Sequence, residues 1–172
     1  MPAAGKTYWG KHLSEAHNLP FIDLDQYLIK REQQDIAQLF TYGEDWFRGK
    51  EHAALIEIIG MVDRPTIVAT GGGTPCFFNN LRQMQRAGTT VYLKTNIETL
   101  VSRLVVDGEM RPLLRGKYNV TAILEQMLAT RSSYYEQAKY ILQSENISLS
   151  TFDKIILECT NRHSQQGLSL QW

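Results

Sequence analysis

Short apolar runs punctuate the chain, and between them apolar residues recur at helical spacing. Leu19-Pro20-Phe21-Ile22 predicts a strand ending at Asp23, and Thr66-Ile67-Val68-Ala69-Thr70 predicts a β-branched strand running into three glycines. Thr89-Thr90-Val91-Tyr92-Leu93 and Tyr140-Ile141-Leu142 read as two more strands. Thr7 to His17 carries Tyr8, Trp9, Leu13 and Ala16 as its apolar set and predicts a helix. Leu81 to Ala87 predicts a helix that stops at Gly88. Thr95-Asn96-Ile97-Glu98 has capping-box spacing ahead of Leu100, Leu104 and Val105. Phe152, Ile155, Ile156 and Cys159 predict a last amphipathic helix, and the polar stretch from His163 to Trp172 predicts a loose tail. Strands alternating with helices indicate a parallel α/β sheet covered by helices on both faces.

Length and composition narrow this picture without changing it. The 172 residues suit a single domain with a full core, and 43% hydrophobic with 21% charged residues is ordinary for a soluble globular protein. Eighteen Lys and Arg balance eighteen Asp and Glu, so overall charge offers nothing to nucleic acid, although local arginines can still bind anions. Cys76 and Cys159 match no metal-ligand spacing and predict free thiols of a reducing compartment. With no signal peptide and no apolar run of membrane-span length, the expectation is a cytoplasmic protein with no membrane partner.

Four groups of residues can carry chemistry. Gly5-Lys6-Thr7 is the last third of the phosphate-cradling loop G-x-x-x-x-G-K-S/T, with Ala3 and Ala4 at the two preceding positions. A helix follows directly, so backbone N–H groups, the lysine ammonium and the threonine hydroxyl could face a polyphosphate, though the tripeptide alone also fits a simple helix start. Asp23 and Asp25 lie after the first strand, on one side of the chain if it stays extended, where α/β sheets bind ligands; a solvated helix cap is the simpler reading. Gly71-Gly72-Gly73 permits positive φ and close approach of a ligand to backbone. Arg48, with Glu51 one helical turn on, and Arg111, Arg115 and Arg131 suit bidentate contact with carboxylate or phosphate, yet each taken singly reads as a surface residue.

In their order these motifs resemble the shikimate kinase family. Its pattern of P-loop, D-x-D, F-R-x-x-E, G-G-G, R-P-L and R-x-x-x-Y is met by Gly5-Lys6-Thr7, Asp23-Leu24-Asp25, Phe47-Arg48-Gly49-Lys50-Glu51, Gly71-Gly72-Gly73, Arg111-Pro112-Leu113 and Arg131-Ser132-Ser133-Tyr134-Tyr135. The resemblance extends to about Glu158. Ser133 stands where the family often has proline, and nothing between Glu145 and Ser150 matches its adenine-contacting position.

The resemblance implies a P-loop, nucleoside-monophosphate-kinase-like three-layer fold with a five-stranded parallel sheet of order 2-3-1-4-5. It implies ATP-dependent phosphorylation of the 3-hydroxyl of shikimate, on the route to chorismate and the aromatic amino acids, by a monomer that uses Mg²⁺. Ala3, Ala4, Gly5, Lys6, Thr7 and Arg111 would bind ATP, with Thr7 on Mg²⁺ and Asp23 supporting the metal through water. Asp25 would bond the reacting hydroxyl, and Lys6, Asp25 and Arg111 would be catalytic. Arg48 and Arg131 would clamp the shikimate carboxylate against the Gly71, Gly72 and Gly73 backbone. The substrate-binding region would span about 23–52 and a lid about 107–118, with the tail from about 163 to 172.

In this register the first loop glycine falls one position before Met1, and the central first strand is absent. The expectation is a reading frame that begins upstream, and for the 172 residues alone two strand edges without a partner, marginal stability and a tendency to aggregate. The alternatives are another small-molecule kinase, such as a gluconate or nucleoside-phosphate kinase, and a non-catalytic homologue that binds without turnover.

Overall fold

The computed structural model describes residues 1–106 and 119–168, with side chains in 1–105 and 119–160. The expected lid, with Arg111 and Arg115, lies outside the described residues. Helix α1 (Lys6–His17) leads to β1 (Phe21–Asp23), and α2 (Leu24–Glu32), α3 (Ile36–Thr41) and α4 (Glu44–Met61) follow before β2 (Ile67–Ala69). A 3₁₀ turn at Thr74–Cys76 and α5 (Asn80–Ala87) lead to β3 (Val91–Lys94), then α6 (Ile97–Val106). Helix α7 (Val120–Tyr135), β4 (Tyr140–Gln143) and α8 (Leu149–Leu168) complete the described elements.

Strand pairing is parallel throughout. Phe21, Ile22 and Asp23 of β1 lie in register with Ile67, Val68 and Ala69 of β2, and Val91 to Lys94 of β3 with Tyr140 to Gln143 of β4. Among the described residues no strand joins β2 to β3, so the two pairs form separate sheets. These are the outer pairs of the order 2-3-1-4-5. The space between them is bordered by the start of the chain: Met1 is buried in one core with Tyr92 and Leu93, and its backbone lies against Gly72.

The apolar pattern produces two cores. One gathers Leu13, Tyr92, Leu93, Leu100, Leu104, Leu124, Phe152 and Ile155 around the β3–β4 pair. The other gathers Leu24, Leu28, Leu39, Phe47, Ala54, Leu55 and Ile58 from α2, α3 and α4. Each leucine sealed there contributes roughly 1.5–3 kcal/mol. This second core makes a firm helical base for the span expected to hold the substrate.

Three local expectations are corrected. Helix α6 starts at Ile97 and is capped by Asn96, whose Oδ1 accepts from the Thr99 amide at 2.7 Å; Thr95 is buried just past β3 and its hydroxyl has no hydrogen-bond partner among the described residues. The backbone of α8 remains helical to Leu168, past His163, where a loose tail was expected. Asp23 and Asp25 do not alternate along an extended chain, because α2 begins at Leu24 between them. Among the described residues, no helix is long and apolar enough to cross a membrane.

Candidate active site

Gly5 precedes α1 with φ 87°, a left-handed conformation that favours glycine, and no side chain caps the helix. The first-turn amides therefore remain available to an anion, with the positive end of the helix dipole behind them. Lys6 donates from Nζ to the Met1 carbonyl at 2.7 Å, which draws its ammonium back over the loop. Arg103 of α6 donates to the Ala3 carbonyl at 3.2 Å and ties the loop to the β3 side of the molecule.

At the carboxyl end of β1, Asp23 serves two partners. Its Oδ1 accepts from the Asp25 and Gln26 amides and caps α2, while its Oδ2 accepts from Thr7 Oγ1 at 2.7 Å. The helix cap and the contact with Thr7 are thus one carboxylate used twice. Asp25, in the first turn of α2, brings Oδ1 within 3.4 Å of where a side chain on Gly71 would begin. The loop of α1, the start of α2 and the turn after β2 therefore meet at one end of the β1–β2 pair.

Arg48 is buried at 4% exposure rather than on the surface. Its Nη1 donates to Glu51 Oε2 at 2.8 Å, and its Nε and Nη2 both reach Glu44 Oε1, at 3.2 and 3.0 Å. Phe77 lies 4.5 Å from the guanidinium carbon. Buried Glu51 is held in turn by Thr74 Oγ1 at 2.7 Å. Half-exposed Glu44 is the partner that can yield, whereas Glu51 is sealed in.

The glycine triplet serves close approach, not positive φ. Among the described glycines only Gly5 and Gly43 have positive φ. A Cβ on Gly73 would sit 2.4 Å from Arg48 Nη2, and one on Gly71 would sit 2.6 Å from Glu51 Oε1. Because both partners are pinned by ion pairs, neither can swing aside cheaply. Gly73→Ala is expected to displace the Arg48 guanidinium and to destabilise the fold by about 1–3 kcal/mol, the scale of forcing extra volume into a packed site. Thermal denaturation of the variant beside the parent checks this.

Arg131, in the last turn of α7, is linked to the same turn through Tyr135. It hydrogen-bonds Tyr135, whose Oη donates to the Gly72 carbonyl at 2.6 Å. Burial, opposed by the neighbouring Arg131 guanidinium, pushes the Tyr135 hydroxyl up to about 12, so the proton of that bond stays in place at neutral pH. Burial also pushes the half-buried, free Cys76 thiol up, against the pull of the Arg131 and Arg48 guanidiniums. Two arginines from different helices thus converge on one glycine turn.

The family model for shikimate kinase matches residues 2–161. The shikimate kinase of Bacteroides fragilis is 40% identical over 147 residues, 84% of this chain and 81% of the relative.

The chain belongs to the shikimate kinase family.

Its fold matches a crystal structure of shikimate kinase from Bacteroides thetaiotaomicron with a TM-score of 0.79 at 35% identity, covering 98% of this chain and 94% of the other. A shikimate kinase from Acinetobacter baumannii, solved in complex with shikimate, matches with a TM-score of 0.80 at 30% identity, over 91% and 87% of the two chains.

Several residues of this kinase's site had escaped the reading of the sequence. Glu44 was legible in principle, four residues before Arg48 on the same helix. Arg103, Thr74 and Phe77 carried no local signal, since each acts only through a neighbour distant in sequence or across a turn.

Proposed function

We propose that the kinase moves the γ-phosphoryl group of ATP to the 3-hydroxyl of shikimate, with Ala3 to Thr7 holding the phosphates and Asp25, Arg48, Arg131 and the Gly71–Gly73 backbone holding the acceptor. The observation that carries this reading is the meeting of Thr7 and Asp23 with Asp25, Gly71 and Arg48 at one end of the β1–β2 pair. A phosphate donor and a carboxylate-bearing acceptor can there lie side by side. The acceptor's carboxylate takes the Arg48 edge now held by Glu44, and Arg131 closes on it from α7.

Thr7 and Asp23 present a hydroxyl and a carboxylate in direct contact. That pair suits Mg²⁺, which takes one or two protein oxygens and completes its shell with phosphate oxygens and water. Bound there, the ion would neutralise phosphate charge. Lys6 supplies a further positive charge to the β/γ oxygens. Asp25 accepts the proton of the acceptor hydroxyl as its oxygen bonds to the γ-phosphorus and the bond to ADP breaks. Most of the acceleration comes from position and charge, since phosphoryl transfer needs little covalent help. The same reading places the kinase in the cytoplasm as a monomer.

Asp25→Asn tests the assignment most directly. Turnover is expected to fall by about 10²–10⁴-fold, the usual contribution of a general base, with ATP affinity within a few-fold of the parent. A coupled ADP-release assay with shikimate and direct ATP titration measure the two quantities. An equal loss of ATP affinity would contradict the role given to Asp25.

A further inference from the structure

We propose that His52 and Asn80 are positioning residues for the acceptor site, clipping the Gly71–Thr74 turn onto Glu51 and, through it, onto Arg48; this rests on the acceptor site proposed above. The contacts form one line. His52 Nδ1 lies 2.7 Å from Asn80 Oδ1, Asn80 Nδ2 donates to the Thr74 carbonyl at 2.9 Å, and Thr74 Oγ1 donates to Glu51 Oε1 at 2.7 Å. Glu51 Oε2 then accepts from Arg48 Nη1 at 2.8 Å. Asn80 and Thr74 are fully buried and Glu51 is 1% exposed, so each lost partner would leave a buried polar group unpaired.

The chemistry of the line gives it a direction. The Thr74 carbonyl can only accept, so the Asn80 amide nitrogen must face it and its oxygen must face His52. His52 therefore donates from Nδ1.

The backbone indicates why a clip is needed. Phe78 and Asn79, directly before Asn80, have φ 49° and 61°, two successive non-glycine residues in the left-handed region. Such conformations persist where the surroundings over-determine them. The His52 ring stacks on Phe78 at 5.3 Å between centroids and 25° between planes, while its Nδ1 holds Asn80. One side chain of α4 thus grips Phe78 and Asn80, the residues on either side of Asn79. It stands one residue beyond Glu51 and one turn beyond Arg48, on the helix that carries the acceptor clamp. Thr74 also donates its amide to the Gly71 carbonyl at 3.2 Å, so the held turn is the one on which shikimate is proposed to rest.

The test uses the full chain with two substitutions. His52→Phe keeps a ring against Phe78 and removes the donor; His52→Gln keeps an N–H donor. For His52→Phe the shikimate KM is expected to rise roughly 10-fold, the scale set by lost supporting contacts around a site, with the ATP KM and kcat within about twofold. His52→Gln is expected to recover most of the loss. Shikimate affinity by calorimetry should move with the KM, and circular dichroism checks that each variant is folded. A shikimate KM unchanged in folded His52→Phe, a rise shared equally by ATP, or a His52→Gln no better than His52→Phe would overturn the proposal. If the parent chain binds shikimate but makes no product, the proposed reaction fails, and the calorimetric comparison of the two variants still decides the clip.

Discussion

Arg48→Ala is expected to lose shikimate binding and a large part of the fold's stability together. The binding loss follows from removing the guanidinium proposed to hold the acceptor carboxylate. The stability loss follows from Glu51, which at 1% exposure would be left as a buried carboxylate without its cation. Breaking such a pair from one side costs about 3–5 kcal/mol, which for a chain of this length lowers Tm by about 6–20 °C. Thr74 Oγ1 still reaches Glu51 and softens the loss toward the lower end. Arg48→Lys should retain charge and most of the stability but lose the planar fork that meets Glu51 and Glu44 at once. Thermal denaturation beside shikimate titration separates the two effects. An Arg48→Ala variant as stable as the parent would mean that Glu51 finds other compensation. Unchanged shikimate affinity would remove Arg48 from the acceptor site.

Lys6→Ala is expected to reduce turnover by about 10²–10³-fold, the scale of losing one preorganised charge or donor at a developing negative charge. Its structural cost should be small. The partly buried Nζ gives up its bond to the Met1 carbonyl, worth about 0.5–1.5 kcal/mol. A large kinetic effect with a nearly unchanged melting curve is the opposite signature to that of Arg48→Ala. Rapid-quench measurement of product formation with ATP and shikimate saturating gives the rate directly, and turnover at the parental level would remove Lys6 from the proposed chemistry.

The contrast between these two residues illustrates what could be read along the chain. Strands β1 to β3 were legible because their apolar runs are short and bounded by glycine, aspartate or threonine, β4 as a short apolar run between polar residues, and α1 because Leu13 and its neighbours recur at helical spacing. Lys6 and Thr7 open α1 directly after the left-handed Gly5, a local geometry that their spacing already signals. Asp23 was harder. A helix cap and a ligand-facing carboxylate are rival readings of its position in the sequence, yet one oxygen caps α2 while the other accepts from Thr7. Arg48 looked exposed when taken alone, because nothing nearby in sequence announces Phe77 or the glycine turn that covers it.

The order of the motifs, the alternation of strands and helices and the identities of the phosphate-loop residues were thus dictated by local periodicity and backbone propensity, which act over a few residues and can be read from one chain. Which glycines must lack a side chain, which of Arg48's carboxylate partners is sealed from water and how His52 reaches the Gly71–Thr74 turn depended on elements from 20 or more positions apart being pressed together. Burial and close packing are properties of the assembled core. They turn an ordinary-looking arginine, asparagine and histidine into one connected support.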